Sequence, residues 1–141
     1  MKPDSVTSIC DSAFSNCEAL TSVIIPDCVT SIGASAFSRC TGLTDITIPK
    51  GVTRIEEETF CYCNGLHDIT VPENVTSIGE GAFCFLNNDL TTVTVLNESC
   101  IFETTLFLPI SGRIIRGYAG STAESYAKEY NKTFEVIEKA E

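Results

Sequence analysis

The chain has 141 residues, of which 43% are apolar and 20% are charged, and its formal charge is −10. This composition supplies enough apolar side chains for a buried core and excludes a disordered chain. The acidic balance makes nucleic acid and anionic membranes poor partners, and no apolar run reaches the roughly 18 residues of a membrane span.

A pattern of 23 residues recurs four times from the start of the chain. Val-Thr-Ser-Ile or a close variant stands at 6–9, 29–32, 52–55 and 75–78. A phenylalanine follows in every copy, at Phe14, Phe37, Phe60 and Phe83, and a cysteine three residues later in the first three, at Cys17, Cys40 and Cys63. We expect these side chains to be buried, one of each per turn. Residues 1–96 therefore divide into four repeats, at about 6–28, 29–51, 52–74 and 75–96.

Each copy continues with a leucine and with apolar residues three and five positions later, as in Leu43, Ile46 and Ile48. The last two follow the period of a β-strand and should point inward. In the first three copies a proline comes next and ends the strand, because it has no N–H. The β-branched Val-Thr-Ser-Ile segment is typical of a second short strand. Segments such as 33–37 are predicted as short helical or 3-10 turns. In the fourth copy a displacement of one residue indicates an insertion within 87–89.

The pattern V-T-S-I-G-x-x-A-F-x-x-C-x-x-L-T-x-I-T-I-P, most complete in residues 29–49, closely resembles the BspA-like leucine-rich repeat. The resemblance covers roughly residues 6–96. It implies an α/β solenoid, a right-handed superhelix of short parallel strands in which stacked copies bury one continuous core. It also implies a bacterial cell-surface or secreted protein whose repeats bind host proteins, other cells or matrix.

The 23-residue register is lost after Leu96, and residues 97–141 are predicted to form a strand-helix-strand cap on the same single domain. Irregular strands are expected at 100–102 and 106–108, and a further strand at 113–118. Such a segment covers the apolar end of the last turn, which a solenoid needs for solubility.

A capping box, Ser121-Thr122-Ala123-Glu124, predicts the start of a helix from about Thr122 to Tyr130. Its apolar residues have the spacing of a core-facing stripe: Ala123, Tyr126, Ala127 and Tyr130. Asn131 can end the helix in a left-handed conformation, and a final strand is expected at 133–137. The stretch from Gly117 to Ala127 is similar to the one that often ends BspA-like proteins.

The first repeat begins almost at once, at Val6, and neither a cap nor the apolar region of a signal peptide precedes it. We therefore expect the chain to be a fragment of a longer array. It should be monomeric or weakly associated end to end through its uncapped first turn. The family resemblance implies an extracellular or cell-surface location.

The eight cysteines are expected to be structural thiols. A buried thiol is a weak donor suited to a loop carbonyl, and in-register bridges within the Cys40 column would need distortion. Cys61 and Cys84 form a second column and are the best candidates for a bridge, although about eight free thiols are expected. Cys61-Tyr62-Cys63 resembles half of a metal site, but no second ligand pair stands at zinc spacing. We predict no metal and no cofactor.

His67, the one histidine, stands in a column otherwise held by Thr21, Thr44 and Thr91, at an outward strand position. It is predicted to be a solvated surface residue. A catalytic pair with Cys63 would require that thiol to be exposed and activated. No carboxylate pair, phosphate loop or nucleophile elbow is present. We therefore expect no enzyme.

Outward strand positions form two columns that predict a flat, polar, mildly acidic surface. One column contains Ser22, Asp45, Asp68 and Thr92, and the other contains Ile24, Thr47, Thr70 and Thr94. Solenoids bind partners along such faces. The leading hypothesis is thus a non-enzymatic module that binds a protein or glycan through this face, which includes His67. The alternatives are a structural spacer within a larger surface protein and, third, a thiol-dependent enzyme.

Overall fold

The structure is a computed structural model that describes residues 5–84, 92–103 and 113–140. Over these residues the chain winds into a solenoid of about five turns, in which all paired strands are parallel. The predicted insertion at 87–89, Thr91 of the histidine column and the strand expected at 106–108 lie outside the described residues.

Two walls of short strands form the solenoid. The first wall contains β1 (Ser8–Ile9), β3 (Ser31–Ile32), β5 (Arg54–Ile55), β7 (Ser77–Ile78) and β9 (Ile101–Phe102). The second wall contains β2 (Ser22–Val23), β4 (Asp45–Ile46), β6 (Asp68–Val71), β8 (Thr92–Val95), β10 (Ile114–Gly117) and β11 (Thr133–Val136). The predicted solenoid of short parallel strands is confirmed, and the second wall continues through the strands of the C-terminal segment.

The register confirms the displacement in the fourth repeat. Arg54 pairs with Ser77, one repeat length away. Asp68 pairs with Thr92, which is one residue further along the chain than the repeat would give. The extra residue therefore lies between β6 and β8, and the inward and outward positions of β8 match those of β6.

Both walls are interrupted between the second and third turns. The strands pair as β1 with β3 and β2 with β4, and then again from β5 and β6 onward, so neither β3–β5 nor β4–β6 is paired. The connecting turns still join across this boundary. Ser35 donates its N–H to the Glu57 carbonyl at 3.0 Å, and Arg39 donates to the Cys61 carbonyl at 2.8 Å.

The connections predicted as short helical or 3-10 segments are chains of tight turns. Two residues in each of the first three connections carry a positive φ at equivalent places. The first is Ser12 (56°), Ser35 (55°) or Glu58 (53°), and the second, four residues later, is Asn16 (63°), Arg39 (61°) or Tyr62 (60°). Such a residue breaks a helix. The backbone N–H groups of a connection therefore alternate between two kinds of acceptor. Ala36 donates to the Gly33 carbonyl within its own turn, and Phe37 donates to the Thr59 carbonyl of the next turn.

The phenylalanine column forms the centre of the core. Neighbouring rings lie 5.3 to 5.9 Å apart and within 6° of parallel, and Phe37, Phe60 and Phe83 are fully buried. Phe14 and Cys17 are only partly buried, which corrects the expectation for the first turn. Among the described residues nothing packs on the outer side of that turn.

The helix α1 (Thr122–Glu129) confirms the prediction for the C-terminal segment. The Ser121 hydroxyl accepts the Glu124 N–H at 3.3 Å, whereas the Glu124 carboxylate accepts from Gly120 rather than from Ser121, at 2.7 Å. Asn131 follows with a φ of 53°. Tyr126 is buried and stacks on Phe102 with ring centres 4.8 Å apart, which attaches the helix to β9. Within the described residues no helix has the length and apolarity of a membrane span.

Candidate functional site

The second wall presents the predicted strand face. Along β6 exposed and buried residues alternate, so Asp68 and Thr70 point outward while Ile69 and Val71 enter the core. Ser22 pairs with Asp45 in the neighbouring strands. The structure thus places the two predicted columns side by side on one surface.

Exposure differs along that surface. The exposed members are Ser22, Ile24, Asp45, Thr47, His67, Asp68 and Thr70, and the half-buried ones are Thr92 and Thr94. Ile24 is 94% exposed, an unusual position for a large apolar side chain. The first three turns therefore offer the more accessible part of the face.

A shallow depression of about 330 Å³ lies on the face between β4 and β6. It is lined by Asp45, Thr47, Asp68 and Thr70, together with the two isoleucines between them. This is the place where strand pairing is interrupted. Two carboxylates and two hydroxyls thus surround one opening.

The face extends further than the sequence columns indicated. Thr94 pairs with Arg116 of β10, which in turn pairs with Glu135 of β11. Arg116 and Glu135 form an ion pair of 3.3 Å between exposed side chains. The sequence signal was the alternation of apolar and polar residues in 113–118. It could not be aligned with the repeats, because the 23-residue register had been lost.

His67 lies at the edge of this face, where its side chain is exposed. In the same column the Thr44 hydroxyl donates to the Thr21 carbonyl at 3.1 Å, a bond that imidazole at position 67 does not reproduce. Cys63 is fully buried, and its thiol donates to the Phe37 carbonyl at 3.0 Å. A Cys63–His67 catalytic pair is therefore contradicted.

The buried cysteine column caps carbonyl groups of the preceding turn. Cys40 donates to the Phe14 carbonyl at 3.1 Å, as Cys63 does to Phe37. Burial raises the pKa of Cys63 to about 12 and also raises the pKa of Cys40. These thiols remain protonated at neutral pH and are poor nucleophiles.

Cys61 and Cys84 form a disulfide, so the expectation of about eight free thiols is wrong and six thiols remain. Their Cα atoms are 4.7 Å apart, within the range that a disulfide spans. The two residues occupy equivalent places in consecutive turns, and their Cα separation is close to the spacing of adjacent strands.

A second depression, of about 380 Å³, lies beside the first wall. Its lining includes Arg54 and four glutamates: Glu56, Glu57, Glu80 and Glu103. Arg54 pairs with Glu56 at 2.8 Å and with Glu103 at 3.0 Å. Among the described residues no group of three or more metal-binding side chains comes together.

The sequence matches the family model described as BspA type Leucine rich repeat region (6 copies) over residues 2–110. No curated protein matches the chain. Solved structures of other leucine-rich repeat proteins are similar to the chain. One is a leucine-rich repeat protein of T. pallidum, with 22% identity and a TM-score of 0.56. The match covers 92% of this chain and 79% of the T. pallidum chain.

The second structure is a leucine-rich repeat protein from Bacteroides ovatus, with 28% identity, a TM-score of 0.60 and coverage of 92% of this chain. The third is a leucine-rich cell surface protein from Faecalibacterium prausnitzii, with 35% identity, a TM-score of 0.57 and coverage of 82%. The chain spans 41% and 33% of these two proteins respectively.

Proposed function

Because the chain belongs to the BspA-type leucine-rich repeat family, we propose that it is a non-enzymatic binding module of a bacterial cell-surface or secreted protein. Its site is the strand face of β2, β4, β6 and β8, and its ligand is a protein or a glycan. The observation that carries the proposal is this face itself: outward hydroxyls and carboxylates stand in register on consecutive turns.

Two observations favour an exported protein. Disulfides persist in oxidising compartments and are rare in the cytosol, and Cys61 is joined to Cys84. The similar protein of Faecalibacterium prausnitzii is described as a cell surface protein. Both support placing this module outside the cytoplasm.

A spacer is the second candidate. The continuous stack of parallel phenylalanine rings and the inter-turn disulfide favour a stiff element that could hold another domain at a distance. A spacer needs no specific surface, so mutations on the strand face would leave its role intact. This difference allows the two functions to be separated by experiment.

The test combines a ligand screen with charge reversal. The full chain is screened against immobilised purified matrix proteins and a glycan array, and each ligand found is then measured with Asp45→Lys/Asp68→Lys. We expect affinity to fall at least tenfold, because the two carboxylates at the centre of the face no longer accept hydrogen bonds from the ligand and the charge there is reversed. Glu57→Lys/Glu80→Lys is the matched control, with the same charge change beside the other wall, and should retain binding.

A ligand that the Asp45→Lys/Asp68→Lys variant binds as tightly as the wild type would contradict the strand-face site. If no ligand bound the wild type, the spacer would replace the binding module.

A further inference from the structure

Among the described residues, no lysine or arginine forms an ion pair with the two aspartates of the strand face. The ion pairs of the described residues lie elsewhere, at Arg54, Arg116, Lys128 and Lys139. Asp45 and Asp68 are both exposed and occupy equivalent positions in consecutive turns. Both carboxylates line the same depression, so they are near enough to repel each other.

The interruption of the second wall coincides with this pair. Ser22 and Asp45 face each other in a paired ladder, and so do Asp68 and Thr92. The step from Asp45 to Asp68 brings two like charges opposite each other and is unpaired. Directly opposed like charges destabilise neighbouring strands. The depression of about 330 Å³ lies at this unpaired step and is lined by both aspartates.

The glutamates beside the first wall provide a comparison. Glu57 and Glu80 are also exposed and one repeat apart. They line a depression together with Arg54, whose guanidinium supplies positive charge there. The strands next to them, β5 and β7, are paired. The depression between Asp45 and Asp68 thus differs from the one beside the first wall, because its lining contains no cationic side chain.

We propose that the strand face binds a basic segment of a protein, with a lysine or arginine side chain lying between Asp45 and Asp68. This inference rests on the proposed function and names its partner class. A cation between the carboxylates relieves their repulsion, and the hydroxyls of Thr47 and Thr70 are placed to accept its remaining hydrogen bonds. The net charge of −10 steers a cationic partner toward the module.

The chemistry of the face favours such a segment over a glycan. Flat sugar rings are held in many protein sites by stacking on aromatic side chains. The residues of the face that the structure describes include carboxylates, hydroxyls, the imidazole of His67 and the exposed aliphatic Ile24, but no phenylalanine or tyrosine.

The experiment uses the full chain with three soluble probes: hexalysine, hexaglutamate and the neutral sugar chitohexaose. Binding is measured by calorimetry at two salt concentrations and mapped by amide chemical shifts. We expect hexalysine alone to bind, with shifts centred on β4 and β6 and with weaker affinity at high salt. Asp45→Asn/Asp68→Asn should lower this affinity at least tenfold, and the matched Glu57→Gln/Glu80→Gln less than twofold.

Three results would overturn the proposal. Equal losses in the two double variants would show that hexalysine responds only to net charge. Shifts centred on Glu57 and Glu80 would place the cation beside the other wall. Binding of chitohexaose but not hexalysine would reject a basic partner while leaving the binding module in place. By contrast, loss of all ligand binding from the screen above would remove the proposed function itself.

Discussion

At the scale of single residues, the cysteines of the buried column bond to the preceding turn. The thiol of Cys63, for example, donates to the Phe37 carbonyl. The Phe83 carbonyl accepts instead from the guanidinium of Arg113, at 3.2 Å. Arg113 is 1% exposed, and burial lowers its pKa. The column cysteine was predictable from spacing, whereas Arg113 was not, because it lies outside the register.

Replacing Phe60 by alanine should lower the free energy of unfolding by about 3–5 kcal/mol, since a fully buried ring with two stacked neighbours is lost. Phe14→Ala is the matched control. Its ring stacks on one neighbour and is partly exposed, so its cost should be clearly smaller. Urea unfolding measures both, and equal costs would contradict the account of the first turn as an open end.

The disulfide predicts a redox-dependent stability. Reduction of Cys61–Cys84 opens a closed loop of 23 residues, and we expect a loss of about 3 kcal/mol. Urea unfolding with and without reductant measures this loss, and the Cys61→Ala/Cys84→Ala variant should not respond to reductant. Thiol counting after denaturation without reductant should give six, and a count of eight would show that the bridge is absent.

Alkaline pH should destabilise the protein through its buried thiols. Burial raises the pKa of Cys63 to about 12 and that of Cys100 to about 11, from a usual 9.0. As the pH rises above about 9, these thiols lose their protons in the unfolded state before they do so in the folded state. The free energy of unfolding is therefore highest below that pH and falls as the pH rises toward 11 and 12. The wild type should therefore lose more stability between pH 8 and 11 than Cys63→Ala/Cys100→Ala does. Parallel curves would refute this.

At the scale of elements, the strands and the helix were largely predictable and the connections were not. Period-two alternation identifies strands such as β6 directly, and the capping box identifies the start of α1. The tight turns depend on a left-handed backbone conformation at Ser35 and Glu58. Serine and glutamate do not routinely adopt this conformation, so the sequence did not predict it. Their positive φ is imposed by hydrogen bonds to the next turn.

The N-terminal cap of α1 should be measurable. Ser121→Ala removes the acceptor of the Glu124 N–H and should cost about 1 kcal/mol of stability. Ser99→Ala, at an exposed loop position, is the control and should change stability by less than about 0.5 kcal/mol. Equal stabilities of the two variants in urea would mean that this hydrogen bond does not stabilise the helix.

At the scale of the whole molecule, the described part of the solenoid consists of two groups of paired turns, separated by an unpaired boundary between the second and third turns. The 23-residue period of the sequence was enough to predict which segments form consecutive turns. The interruption between the second and third turns was not predictable, because the repeat pattern is the same on both sides of it. The alternation of inward and outward residues predicted both the core and the candidate face. The depression between Asp45 and Asp68 could be identified only from the three-dimensional structure, and so could the extension of the face to Arg116.

Hydrogen exchange should reveal the boundary. Thr44 and Thr76 donate their N–H groups to carbonyls of the preceding turn at 2.9 and 2.8 Å. The equivalent donors at the boundary, His67 and Thr53, have no such bond among the described residues. Their amides should exchange at least tenfold faster than those of Thr44 and Thr76. Uniform protection along the column would contradict an unpaired boundary.

The disulfide also sets how the molecule responds when it is pulled. If the module were held at one end and pulled at the other, force would pass along the stack of turns, and we expect the turns to separate first at the unpaired boundary. Once the third and fourth turns yield, the Cys61–Cys84 bond keeps 23 residues from lengthening, about 75 Å of extended chain at 3.3 Å per residue. In an oxidising medium the fully pulled chain would therefore be shorter by the length of this closed loop. In a reducing medium the loop would open and add that length.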